Sequence, residues 1–159
     1  MQNKMISRPD QSGTSSCAAI IVAAGSGVRA ANAVKFNPHQ DSPFENDYLE
    51  HNLPKQFWRL GDKPVIAHAF DYFDHHPAID AIMLVVAEPY ITPMINFLPK
   101  VQKPVHLVAG GATRQDSVHA GLTALANLED CKNLDYVAIH DAARPLIPAN
   151  LLGNLIAAL

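Results

Sequence analysis

Ala18-Ala19-Ile20-Ile21-Val22-Ala23-Ala24-Gly25-Ser26-Gly27-Val28-Arg29 runs from unbroken apolar residues into a glycine-rich stretch with one arginine. The apolar part has no polar alternation. That predicts a strand covered on both faces, as in a parallel sheet. Gly25 and Gly27, two apart, let the backbone turn sharply and come close to a bulky anion. Arg29 adds a fixed positive charge two residues further on. Together these features suit a phosphate group.

The rest of the chain repeats the strand-then-helix pattern. Val65, Ile66, Ala69, Phe70 and Phe73 recur at helical spacing, which predicts a helix over 65–75. A second buried strand is expected over 81–87 and a short helix over 91–98. A third strand is expected over 105–108, followed by a helix over 113–128 with Val118, Leu122 and Leu125 on one face. A fourth strand is expected over 136–139, and Asn150 opens a last helix. Strands alternating with helices imply an α/β fold with a mostly parallel sheet. In such sheets the ligand sits beyond the C-terminal strand ends. Three loops fall there: Gly25 to Arg29, Gly110 to Arg114, and His140 to Arg144. They are expected to converge on one crevice.

The chain has 159 residues, 48% hydrophobic and 17% charged, which suits one globular domain with a real core. A net charge of −3 argues against a general nucleic-acid binder, which needs a basic surface. Cys17 and Cys131 have no metal-ligand spacing and read as two free thiols in a reducing compartment. No apolar stretch reaches the length of a membrane span. Residues 1–16 are polar and lack an apolar signal core, so they read as a disordered tail on a cytoplasmic protein, with the domain over 17–159. The stretch near 31–52, rich in Pro, Asn and acidic residues, shows no period and reads as a surface loop insertion. Gly61-Asp62-Lys63-Pro64 reads as a turn. The apolar end Leu155-Ile156-Ala157-Ala158-Leu159 lacks a helix stop signal, so the reading expects a domain truncated at its C-terminus.

Gly25, Gly27 and Ala30 formally satisfy the dinucleotide fingerprint. That fingerprint also needs an acidic residue at the end of the next strand, to hold a ribose hydroxyl. The required distance lands on Glu45, Asp47 and Glu50, inside the loop, so a nicotinamide oxidoreductase ranks below a nucleotidyltransferase. A Walker phosphate loop is out, because no Gly-Lys-Ser/Thr follows. Lys55 follows Pro54, whose ring would fix the backbone that aims it. Gly110-Gly111-Ala112-Thr113-Arg114-Gln115-Asp116-Ser117 reads as a strand–helix turn with a Thr113 cap. Its free N–H groups suit a base or a phosphate, and Ser117 sits one turn in. Asp141 closes the last strand beside Arg144. It reads either as a local ion pair or as a carboxylate for a sugar hydroxyl or magnesium. Asp74-His75-His76 lacks partners and reads as solvated.

Four blocks carry a family resemblance: Ala23 to Arg29, Pro54-Lys55-Gln56, Gly110 to Val118, and His140-Asp141-Ala142-Ala143-Arg144-Pro145. With these the chain resembles the 2-C-methyl-D-erythritol 4-phosphate cytidylyltransferase family from about Ala18 onward. The resemblance implies a Rossmann-like three-layer domain that takes CTP, Mg2+ and a sugar or polyol phosphate, and forms a homodimer when full-length. It implies that Arg29 and Lys55 are catalytic. It places Ala23, Ala24, Gly25, Ser26 and Gly27 around the triphosphate, and Gly111 and Ser117 at the cytosine. Asp141 would lie at the ribose, the metal or the second substrate. The alternatives are a cytidylyltransferase for another acceptor such as ribitol 5-phosphate, a dinucleotide-binding oxidoreductase, and a non-catalytic nucleotide-binding fragment.

Overall fold

The computed structural model describes residues 16–25, 54–97 and 101–159. The insertion near 31–52 and the tail lie outside the described residues, apart from Ser16. Ser16 is not loose: its backbone N–H donates to Asp135 Oδ2 at 2.8 Å. The described chain thus includes one residue of the stretch read as a tail.

The apolar run forms β1, Cys17–Ala23. A 3-10 turn at Lys55–Phe57 follows. Then come β2 (Arg59–Leu60), β3 (Lys63–Pro64) and α1 (Val65–His75). Next are β4 (Ile79–Val86), α2 (Ile91–Phe97), β5 (Val105–Ala109) and α3 (Arg114–Ala126). β6 (Tyr136–Asp141) and α4 (Leu151–Ala157) complete the described chain. β4 starts two residues before its expected position. β2 and β3 form a small antiparallel hairpin around the turn expected at Gly61-Asp62-Lys63-Pro64. Gly61 makes that hairpin with φ +71°, a left-handed conformation that favours glycine.

The main sheet has the order β5-β4-β1-β6, with every pairing parallel. β1 is central. The chain moves outward from it to β4 and β5, then returns across to β6 on its other side. The strand order therefore reverses beside β1, where open α/β sheets place their ligands.

Strand residues alternate between two buried faces. Ala19, Ile21 and Ala23 of β1 pack with Ile66, Phe70 and Phe73 of α1, Met94 of α2 and Leu152 of α4. Ala18 and Ile20 face the opposite way and pack with Leu125 of α3. The result is the expected three-layer arrangement.

Two expectations need correction. The buried line of α3 is Ser117, Gly121 and Leu125, and Leu122 is 40% exposed. Small residues line the contact because the helix lies close to the sheet: a Cβ on Gly121 would come within 2.9 Å of Ile20 and Val85. Asp74 is not solvated. It is buried at the end of α1, and its carboxylate accepts from the backbone N–H groups of Gln102 and Lys103 at 2.9 and 3.0 Å. Those bonds tie down the connection into β5. Among the described residues no helix is long and apolar enough to cross a membrane.

Candidate active site

The ends of β1 and β5 touch. A Cβ placed on Gly110 would lie 2.3 Å from the Cβ of Ala24 and 2.8 Å from Ser117 Oγ. Gly110 is held there by its N–H, which donates to the Val86 carbonyl at 2.7 Å. Only a residue without a side chain lets these two strand ends come so close.

The turn after Gly110 is shaped from within. Thr113 caps α3 with a full capping box: its hydroxyl accepts from Asp116 N–H, and Asp116 Oδ2 accepts from Thr113 N–H, both at 3.1 Å. The cap read from the sequence is therefore present. Ser117 is buried, and its hydroxyl donates to the Thr113 carbonyl at 2.9 Å and accepts from Gly111 N–H at 3.2 Å. Gly111 itself is exposed.

β6 joins through charge. Arg114, the first residue of α3, contacts Asp141 Oδ1 through Nε at 2.7 Å. Arg144 approaches the other oxygen, Oδ2, at 3.3 Å. Asp141 thus stands between two guanidiniums, both largely exposed. The local ion pair with Arg144 that the sequence suggested is present, and Arg114 extends it to a second loop. Because exposed pairs are weak, the trio matters more for orientation than for stability.

His140, one residue before Asp141, packs on the Phe73 ring at a centroid distance of 5.4 Å. Its Nε2 lies 3.0 Å from the Arg144 carbonyl, which only accepts, so Nε2 carries the hydrogen. Burial is the main cause that pushes its pKa down, and Arg144 adds to that; the backbone hydrogen bond and Asp141 oppose it. The unfolded chain, with histidine near 6.5, therefore takes up a proton first as pH falls. The stability of neutral His140 is complete above about pH 6.5 and is lost as pH drops below it. His76, also lowered by burial, adds the same sign. The melting temperature should fall between pH 7.5 and 5.5, and His140→Gln should reduce that slope. A wild-type melting temperature that rises on acidification contradicts this account.

Lys55 is exposed on a turn whose neighbours Pro54, Gln56 and Phe57 are all buried. Phe57 stacks against Tyr90 at 4.7 Å. The side-chain amide of Gln56 donates to the carbonyls of Ala23 at 2.6 Å and Gly25 at 2.9 Å. The turn bearing Lys55 is therefore docked on the end of β1, despite the long stretch between them. Gln56 has no role in the sequence reading beyond its place in the Pro54-Lys55-Gln56 block. Its only signal was a polar residue set between a lysine and an aromatic in a short block.

Of the residues singled out from the sequence, Ala23, Ala24, Gly25, Lys55, Gly111, Ser117 and Asp141 lie at this end of the sheet. Ser26, Gly27 and Arg29 lie outside the described residues. No cluster of three or more His, Cys, Asp or Glu side chains suited to a metal exists among the described residues. Asp141 has lone pairs beyond those facing Arg114 and Arg144, and its hard oxygens fit a magnesium carried mainly by phosphates.

The sequence profile of one family, IspD or 2-C-methyl-D-erythritol 4-phosphate cytidylyltransferase, matches residues 46–159. The chain belongs to this family. It is 40% identical over 147 residues to a protein of Rhizorhabdus wittichii named bifunctional enzyme IspD/IspF, covering 92% of this chain and 31% of that one. It is 43% identical over 110 residues to a 2-C-methyl-D-erythritol 4-phosphate cytidylyltransferase of Syntrophotalea carbinolica, covering 67% of this chain and 46% of the relative. The crystal structure of 4-diphosphocytidyl-2C-methyl-D-erythritol synthase from Anaerococcus prevotii superposes with a TM-score of 0.64. That match covers 91% of this chain and half of the other, at 23% identity, and shows the shared fold. The chain thus spans from under a third to about half of the length of these relatives.

Proposed function

We propose that this chain forms the nucleotide-binding part of an enzyme that transfers a cytidylyl group from CTP to 2-C-methyl-D-erythritol 4-phosphate. The meeting of the β1 and β5 ends at Ala24 and Gly110, in a member of this family, is the observation that supports it most directly. An oxygen of the acceptor phosphate attacks the α-phosphorus of CTP. A new P–O bond forms, the bond to the bridging oxygen of the β-phosphate breaks, and pyrophosphate leaves with that electron pair.

The nucleophile is already ionised, so no strong base is needed. The barrier lies in bringing two anions together and spreading charge at phosphorus. Lys55 and Arg29 supply the positive charge, Ala23 to Gly27 wrap the triphosphate, and Gly111 meets the cytosine while buried Ser117 shapes the turn that presents it. Asp141 lies at the ribose and would hold the Mg2+ that arrives with the nucleotide. Bound there, the ion would neutralise phosphate charge. A homodimer working in the cytoplasm completes this reading.

Neither named relative is an oxidoreductase, and the missing ribose acid argues the same way. The test is incubation with CTP, Mg2+ and either 2-C-methyl-D-erythritol 4-phosphate or ribitol 5-phosphate, with pyrophosphate and the cytidine diphosphate product measured. Product from the first acceptor alone is expected. Product from ribitol 5-phosphate alone overturns the acceptor, and no product from either overturns the activity.

A further inference from the structure

We infer that Gln56 is a positioning residue that holds the turn bearing Lys55 against the end of β1 at Ala23 and Gly25. The inference rests on the cytidylyltransferase reading above. Gln56 is only 3% exposed, and its amide NH2 makes two hydrogen bonds. A carbonyl oxygen only accepts, so the two short contacts, 2.6 Å to Ala23 O and 2.9 Å to Gly25 O, fix the amide with its NH2 facing β1. One amide binding carbonyls two residues apart pins the backbone through Ala24. That is the point where β1 leaves the sheet and its last partner, Val86, ends β4.

The same residue is bonded directly to Lys55. Pro54 and Phe57, both buried, leave the turn little freedom to move independently. Pulling the turn away from β1 would also leave two carbonyls without their donor. The backbone at Lys55 and the end of β1 are therefore held together. Misplacement of a catalytic group by about 1 Å can cost 100-fold in rate, which sets the scale of the effect.

Gln56→Glu and Gln56→Met keep the length of the side chain. Glutamate sets an acceptor against two acceptors, and burial raises the pKa of its carboxyl. Once protonated, its O–H donates to one of the two carbonyls. Methionine donates nothing at any pH. At 25 °C, where melting curves show each protein folded, both variants should lose roughly ten- to a hundredfold in kcat at pH 8. The Gln56→Glu activity, relative to wild type, should recover severalfold as pH falls to 6, and the Gln56→Met activity should not. If either folded variant keeps kcat within twofold of wild type, Gln56 does not position anything. If the loss tracks only the unfolded fraction and Gln56→Glu shows no recovery, its role is structural alone. A wild-type protein that releases no pyrophosphate from CTP overturns the cytidylyltransferase reading, and this inference with it.

Discussion

Lys55→Ala is expected to lower kcat about 100- to 1,000-fold, the usual cost of removing one preorganised charge from a transition state of this kind. The fold should hardly notice. Lys55 is the exposed member of a turn whose other residues are buried, and surface substitutions usually stay within about 0.5 kcal/mol. The loss should fall on kcat more than on KM for the acceptor, because in the proposed reaction the charge is needed most when negative charge builds at phosphorus. Lys55→Arg should recover only part of the rate. It keeps the charge but spreads it over a planar fork instead of a compact ammonium. Pyrophosphate release under saturating CTP, with a melting curve beside it, checks this. A near-normal rate for Lys55→Ala would remove Lys55 from the chemistry.

A long stretch separates Arg29 from Lys55 in the sequence. The Gln56 bonds to Ala23 and Gly25 nevertheless dock the Lys55 turn on the end of β1, and they belong to a residue with no local signature. The contrast with β1 is instructive. An apolar run without alternation has one cheap solution, a central strand, and Cys17–Ala23 takes it. α1 was equally legible because its buried residues are large and spaced at 3.6. α3 misled for the opposite reason. Its inward line is Ser117, Gly121 and Leu125, two of them small for closeness and not for hydrophobicity, so Leu125 is buried as expected while Leu122 is exposed. Hairpin β2–β3 is too short to show a period. Asp74 was unreadable because its partners are backbone N–H groups 28 and 29 residues away. Three of the four motif blocks were visible as strand ends. What joins them was not: the Ala24–Gly110 contact and the Arg114–Asp141 bond exist only once the sheet is assembled.

That contact yields the second large effect. Gly110→Ala places a methyl 2.3 Å from the Ala24 Cβ, 2.8 Å from Ser117 Oγ and 3.2 Å from Val85 Cγ1. Rotation cannot relieve it, because an alanine Cβ is fixed by the backbone, and the Gly110 N–H is bonded to Val86. Either the end of β1 or the turn before α3 must move. Overpacking of this kind costs about 1–3 kcal/mol in stability. The functional loss should be larger, because both segments that would move are proposed to contact CTP. CTP affinity, measured by titration calorimetry, should drop at least about tenfold, which corresponds to roughly 1.4 kcal/mol. Gly153→Ala is the matched control: nothing lies within 4 Å of its Cβ position, it sits inside α4, and alanine favours a helix over glycine by about 0.5–1 kcal/mol. Adding Ala24→Gly to Gly110→Ala removes the worst overlap and should restore part of both stability and affinity, a coupling expected only between residues in contact. Independent, additive effects of the two substitutions would mean that the strand ends do not meet as described. The proposed CTP site would then lose its structural basis.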